Sequence, residues 1–421
     1  MLLVALAAEA PRLGFGLRAV HVDHGLHPDA GNWSRHCLEL AAGLGVPCEV
    51  ASVDARAAGG ESPEAAAREA RYGALAGRLR PGEVLLTAQH GDDQLETVLL
   101  QWLRGGGLAA VAGMRPLSAF AAGWLVRPLL GWTRAELREW AGRERLAWLE
   151  DPSNADPRFD RNYLRLAVLP ALRARWPAAA RTVGRVAAQA AEALDLEAEV
   201  AAAGLAGLAE GETLALDGLA ALPAARQRLL LRAWLRSRGL DPPSVATLES
   251  LRRDMFQASG SRIPQTGWPG GVVRRYRGRL HAASAVAGSD PWHGGEWRAG
   301  ERFDLGPLGC LELVAATGHG LSRERLRGPL SVLPRPVGAV FRPAGSAHHR
   351  ELRKWLQEQG VLPWMRGSLP CVHAGGEIVA VGDLAYGGSL AAAPGEPAWG
   401  IRWHHRPVVC EAEAIGGGRP G

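Results

Sequence analysis

The side chains best suited to chemistry lie in one run, TAQHGDDQLET at 87–97. On a helix, Asp92 and Glu96 stand one turn apart and Asp93 and Glu96 three residues apart, so their carboxylates crowd one rim. Like charges so placed repel unless a cation sits between them. Magnesium carried by a nucleotide suits that place, because it takes a few carboxylates together with phosphate oxygens. For a single Asp the plainer role is to complement the helix dipole in the first turn, worth about 0.3–1 kcal/mol. A cluster of His90, Asp92, Asp93, Glu96 and Thr97 points instead to a site.

The elements around this run explain how it would be held. Residues 83–88 are apolar and strand-like, and 90–103 have helical periodicity, with Leu95, Val98, Leu99 and Trp102 on one core-facing stripe. The polar residues therefore gather at the carboxyl edge of a parallel sheet, where open α/β folds bind ligands. Upstream, 2–10 reads as helix, 17–22 as strand, 32–44 as helix and 48–53 as strand. Ser62 and Pro63 open a helix running to about 79. Thr133 and Glu136 form a capping box that starts another, ending near 146.

This alternation predicts an α/β, Rossmann-like domain with a parallel sheet over 1–190. An Ala-rich connecting helix follows at 170–208. A small, mostly helical middle domain is expected over 191–285, with an amphipathic helix at 226–236 and a β-like stretch at 271–281. A C-terminal α+β domain is expected over 297–405, with one clear helix at 350–359, and 411–421 reads as an unordered tail.

A chain of 421 residues is long enough for two or three domains. Its 47% hydrophobic and 22% charged residues are those of a globular chain. The net charge of +5 permits a polyanionic partner without requiring one. Lys354 is the only lysine, so arginine abundance alone says little about phosphate recognition. The five cysteines contain no CxxC pair, which argues against a zinc ribbon, an iron–sulfur centre or a disulfide framework. A cytoplasmic, non-membrane protein is the expectation.

TAQHGDDQLET, preceded by HVDHGL at 21–26 and PEAAAREARY at 63–72, resembles tRNA(Ile)-lysidine synthetases, members of the PP-loop ATP pyrophosphatase group. RPLL at 127–130, DPSN at 151–154 and RNYLR at 161–165 follow in the family's order, and 350–370 is similar to its C-terminal tRNA-binding domain. The resemblance implies a two-step reaction: ATP adenylates carbon 2 of the wobble cytosine of isoleucine tRNA, and free lysine then displaces AMP. It implies that Asp93 is the catalytic, magnesium-associated carboxylate, with Asp92, Glu96 and His90 around it. His21, Asp23, His24, Arg68 and Arg71 would border ATP, and Arg127, Arg161, Asn162 and Arg165 would handle lysine or tRNA. Arg350, Arg353, Lys354, Trp355 and Arg366, with Trp364, would form a basic and aromatic tRNA-binding face.

Plainer readings stand beside these. Arg68 would pair with Glu64 at i,i+4, Asp151 and Asn154 would make a turn, and Trp355 would lie in the core beneath a solvated helix face. His21, His24 and His27 lack the partner spacing of a zinc site. The family's S-G-G-x-D-S phosphate loop does not occur in the sequence. The expectation is therefore a start downstream of the natural one, a sheet lacking its first strand, and weak ATP binding by the chain as given. The alternatives are a non-catalytic tRNA-binding homologue and another PP-loop tRNA-modifying enzyme, and a homodimer is left open.

Overall fold

A computed structural model describes residues 1–25, 27–56, 63–149, 152, 156–257, 263–284 and 292–414. The chain forms two compact units, Met1–Leu196 and Glu197–Gly421.

The first unit opens with helix α1 (Leu2–Leu13), strand β1 (Ala19–Asp23), helix α2 (Ala30–Gly43) and strand β2 (Cys48–Ser52). β1 and β2 pair in parallel from Ala19 opposite Cys48 to Asp23 opposite Ser52, with α2 as the crossover. Helix α3 (Pro63–Ala76) leads to strand β3 (Val84–Leu86), helix α4 (Gly91–Leu103) and helix α5 (Gly107–Ala112). A hairpin of β4 (Leu117–Phe120) and β5 (Gly123–Val126) returns the chain so that β5 lies parallel to β3. Among the described residues the parallel pairs β1–β2 and β3–β5 belong to separate sheets.

Helix α6 (Arg134–Arg143) begins at the expected capping box, in which Thr133 and Glu136 satisfy each other's backbone amides. Helix α7 (Asp160–Tyr163) runs through a π turn at Leu164–Val168 into α8 (Leu169–Arg175), and α9 (Ala179–Ala206) is the Ala-rich connecting helix. Leu95 of α4 packs with Leu169, Ala179 and Ala180 in the core beneath the site. The stripe expected on α4 is shorter than its periodicity: Leu95 and Val98 are buried, whereas Trp102 is 63% exposed. The Trp102 side of the last turn of α4 is left uncovered, so a residue with the right spacing still faces solvent.

The second unit begins with β6 (Ala209–Glu210), β7 (Thr213–Ala215), α10 (Leu216–Ala220), α11 (Ala224–Ser237) and α12 (Val245–Gln257). Strands β8 (Gln265–Trp268), β9 (Gly271–Tyr276) and β10 (Arg279–Ala283) complete an antiparallel sheet in the order β6-β7-β10-β9-β8. Leu230, Leu231, Trp234 and Leu235 of α11 and Leu248, Leu251 and Met255 of α12 fill the core against it. The sheet is larger than the single β-like stretch expected, because strands of two to four residues are too short to show alternation.

Residues 295–404 form three further antiparallel sheets, of five, four and two strands, and carry one α-helix among the described residues, α13 (Leu352–Glu358). The longest pairing there joins Cys310–Thr317 to Pro397–His404. The tail expected over 411–421 is ordered at its start. Glu411–Ala414 are helical, and the Glu413 carboxylate accepts the Val409 and Cys410 amides and pairs with Arg406. Residues 415–421 lie outside the described residues.

Candidate active site

The site is built at the turn from β3 into α4. His90 is the N-cap residue: its amide donates to Asp93 Oδ2 (3.0 Å), and its Nδ1 accepts from the Asp93 amide (3.4 Å). Gly91 follows because its amide donates to the Trp132 carbonyl at 2.7 Å, and a Cβ there would stand 3.1 Å from that oxygen. That close approach ties the start of α4 to the start of α6, and the Arg134 amide donates to Asp92 Oδ2 at 2.6 Å. Gln94, buried behind them, uses both ends of its amide on Met114: its Nε2 donates to the carbonyl and its Oε1 accepts from the amide.

Helix α7, the π turn after it and helix α8 supply the opposing charge. Arg161 Nε donates to Glu96 Oε2 (3.0 Å) and its Nη2 to Thr97 Oγ1 (2.9 Å). Arg165 bridges two carboxylates, with Nε on Glu96 Oε1 (2.6 Å) and Nη2 on Asp93 Oδ1 (2.9 Å). Arg173 pairs with Asp92 Oδ1. Glu96 is only 2% exposed and Asp92 5%, so each carboxylate needs the partner it has. Burial alone would lower the Arg165 pKa, but its hydrogen bonds and charge interaction with Glu96 and Asp93 leave it raised, so the guanidinium is firmly cationic.

The structure brings Asp92, Asp93, Glu96, His90, Arg161 and Arg165 together, with guanidinium groups offsetting the negative charge of the carboxylates. Each Asp93 oxygen accepts one hydrogen bond and keeps a lone pair for a further partner. Among the described residues no group of three or more His, Cys, Asp or Glu is arranged to hold a metal by itself. Arg173 is the member that the motif reading missed. It lies twelve residues after Arg161 and eight after Arg165, the repeat of one helix face, with buried Leu169 between.

Asn162 is buried beside this network, and its Nδ2 donates to the Asp156 carbonyl (2.9 Å), fixing the approach to α7. The π turn after α7 widens the helix where Arg161 and Arg165 must both face α4, a distortion common at functional positions.

The other expected residues form a second group. Asp23, at the end of β1, accepts the Gly25 amide (2.8 Å). His24 Nε2 accepts from Arg71 Nε (3.1 Å), and its Nδ1 is buried without a hydrogen-bond partner. Burial, then the charge of Arg71, lowers the His24 pKa, and burial lowers that of His21, so both rings are neutral acceptors near pH 7. Arg68 lies over the Tyr72 ring at 4.8 Å, and the Tyr72 hydroxyl accepts from Gln89 of the β3–α4 turn (3.3 Å). This group reaches α4 through Tyr72 and Gln89 and does not touch the carboxylates. Arg127, 8% exposed at the end of β5, donates to the Arg115 carbonyl (2.8 Å), a backbone support role away from the acidic rim. His27 stacks on Trp33 instead of joining His21 and His24. Asp151 and Asn154 lie outside the described residues.

In the second unit Trp355 is only 6% exposed and packs on Phe341, so its ring is core and not a stacking platform. Arg350 pairs with Glu358 and Lys354 with Glu351, while Arg353 is exposed. Arg366 donates Nε to the Val361 carbonyl (2.8 Å).

A PP-loop domain family model matches residues 1–172, a TilS substrate binding domain 214–281 and a TilS substrate C-terminal domain 330–403. A tRNA(Ile)-lysidine synthase of Methylococcus capsulatus is 43% identical over 88% of this chain and 85% of its own length. One of Alkalilimnicola ehrlichii is 44% identical over 94% and 89%, and one of Pseudomonas aeruginosa 40% over 92% and 86%. A solved U34-tRNA thiolase NcsA from Methanococcus maripaludis, with its [4Fe-4S] cluster, aligns over 45% of this chain and 66% of that chain. Its TM-score of 0.37 and 14% identity carry no argument. The domain matches and the identity sustained along nearly the whole length place the molecule: this chain belongs to the tRNA(Ile)-lysidine synthase family.

Proposed function

We propose that the chain ligates lysine to carbon 2 of the wobble cytidine of isoleucine tRNA (anticodon CAU), using ATP and releasing pyrophosphate and AMP. In the first step the O2 oxygen of cytosine attacks the α-phosphorus of ATP and pyrophosphate leaves. In the second the lysine ε-amine attacks carbon 2, the bond from carbon 2 to the bridging oxygen breaks, and AMP departs with its electrons. The amine gives up a proton in that step.

One observation carries this reading: a buried carboxylate–guanidinium network at the mouth of the β3–α4 turn, in a chain of this family. Arg161, Arg165 and Arg173 are held in place before substrate arrives, so they can stabilise charge gathering on phosphate without reorganising. Glu96 and Asp93 fix those guanidiniums, and the same carboxylates are the natural partners for an incoming ammonium. The Asp23, His24 and Arg71 group at the end of β1 suits the nucleotide. Asp93, whose oxygens each keep a free lone pair, is the residue that would meet a magnesium ion carried by ATP, which would supply positive charge beside the phosphates. Residues 1–190 would perform the chemistry, 191–285 would bind substrate and 297–405 would bind tRNA. The five cysteines are free thiols, in keeping with a cytoplasmic setting.

The test is incubation of unmodified isoleucine tRNA, ATP and radiolabelled lysine with the purified native protein and its Asp93→Ala variant. Wild type is expected to label the tRNA and the variant to fall by about 100-fold or more, the scale of losing one preorganised charge contact. Equal labelling removes Asp93 from the mechanism. Binding of tRNA without labelling by wild type would favour a non-catalytic homologue.

A further inference from the structure

Beyond the long strand Pro397–His404 the chain carries a buried ion cluster that the proposed chemistry does not use. The Arg406 guanidinium lies between two carboxylates, Asp383 at 2.9 Å and Glu413 at 2.7 Å, and over the Trp403 ring at 5.5 Å. The Arg406 and Asp383 side chains are each 7% exposed and that of Glu413 is 11% exposed. Glu413 uses its other oxygen to accept the amides of Val409 and Cys410, both at 3.1 Å, and these two residues are fully buried. The Val409 carbonyl in turn accepts from the Leu362 amide at 2.9 Å, so this part of the segment is stitched to the residues after α13. Taking three charges out of water is costly, and what such a cluster fixes is the place of the chain that carries it.

The same segment ends in the helical turn Glu411–Ala414, which meets the middle sheet at two of its hairpin turns. Glu411 pairs with Arg277 of the β9–β10 turn at 2.6 Å, and the Ala414 carbonyl accepts from the Glu212 amide of the β6–β7 turn at 2.7 Å. Beside them Tyr276 and His281 meet the Trp364 ring edge-on at 6.1 and 5.1 Å. The two ends of the segment therefore differ in strength. Its base is held by buried charges on both sides of Arg406. Its tip is held by one backbone hydrogen bond and by an ion pair whose arginine is 54% exposed, a weak kind of contact.

We propose that residues 406–414 are a latch: the base at Asp383, Arg406 and Glu413 stays fixed in the C-terminal domain, while the tip at Glu411 and Ala414 releases the β6–β7 and β9–β10 turns. Closed, the latch makes the middle sheet and the C-terminal domain one rigid body. Released, it leaves them free to hinge, an opening of the local kind that spares the cores on either side.

The test is amide hydrogen exchange on the full-length protein at low salt, read residue by residue. The Glu212 amide reports the tip and the Leu362 amide reports the base, because their acceptors are the Ala414 and Val409 carbonyls. In wild type, Glu212 should exchange faster than Leu362. Arg277→Glu sets two carboxylates against each other and should speed Glu212 exchange by about fivefold, the scale of turning an attractive surface pair into a repulsive one, with Leu362 within about twofold of wild type. Adding Glu411→Arg to that variant restores an opposite-charge pair and should return Glu212 to its wild-type rate. Glu413→Gln loosens the base and should speed both amides together. Glu212 exchange that Arg277→Glu leaves unchanged, with the melting transition intact, overturns the proposal. So does Leu362 speeding in parallel with Glu212 in Arg277→Glu, since the segment would then come away whole, and so does a charge swap that fails to restore the rate. If Arg277→Glu does not fold, Glu411→Gln takes its place with the same expectations at about half the effect on a logarithmic scale.

Discussion

The head of α4 and the face of α13 both look like sites in the sequence, and they differ in where their charges find partners. At α4, Glu96 meets Arg161 from 65 positions away and Asp92 meets Arg173 from 81 away, with the carboxylates nearly buried. At α13, Arg350 just before the helix meets a glutamate eight residues on and Lys354 one three residues back, all of it solvated. A network assembled from distant elements in a desolvated place is costly unless it is used. Local pairs on an exposed helix are worth about 0.3–0.5 kcal/mol and need no function to explain them. The teaching is that spacing finds candidates, while the origin and burial of the partners rank them.

Four measurements would break or sharpen that ranking. The largest effect is expected for Glu96→Gln, which leaves Arg161 and Arg165 without their shared carboxylate. Unfolding in urea should show a loss of about 3–5 kcal/mol, as for breaking a buried pair, along with loss of lysine incorporation. A change below about 1 kcal/mol would place the network among ordinary surface pairs.

Trp355→Ala should cost about 3–5 kcal/mol by opening the core beneath α13, and it should leave the salt slope of tRNA binding unchanged. If that variant is stable but binds tRNA with a flatter slope, Trp355 belongs to the interface after all.

The third measurement concerns His281, on β10 of the second unit. Burial, then the charge of Arg279, pushes its pKa down to about 4 from the ordinary 6.5. The unfolded chain therefore takes up a proton that the folded one refuses. Stability from this group is full above about pH 6.5, declines as pH falls toward 4 and is level below that. The decline amounts to roughly 3 kcal/mol over that window, at 1.36 kcal/mol per pKa step. His281→Phe should flatten the window, and an unaltered pH profile would show that the ring is not held neutral.

The smallest effect is expected for Arg350→Gln, whose charge is already matched by Glu358. It should change stability by under about 1 kcal/mol and leave tRNA affinity within about twofold of wild type. A loss of about tenfold or more in tRNA affinity would make the α13 face a contact in its own right.

Much of this was readable in the residues. Period 3.6 and capping chemistry placed α2, α4, α6 and α11, because a helix is stabilised by neighbours within one turn and leaves a local pattern. The Thr133 and Glu136 box is such a case, and so is the clustering of Asp92, Asp93 and Glu96 on α4. The short strands β6, β7 and β8 were not readable, since two to four residues carry no period and their pairing is decided by distant partners. Trp102 and Trp355 show the same limit for side chains: both have helical spacing, yet one is solvated and the other buried, because only the packing of other elements determines which end of a stripe is covered.

The order and types of the residues alone settled that acidic groups would converge at the carboxyl edge of β3 and that arginines would follow in a later helix, since both facts are local. Which arginine meets which carboxylate, and that guanidinium groups provide balancing charge there, were decided only when the chain folded. Coulomb energy depends on distance and desolvation, and these are properties of the packed molecule, not of spacing along the chain.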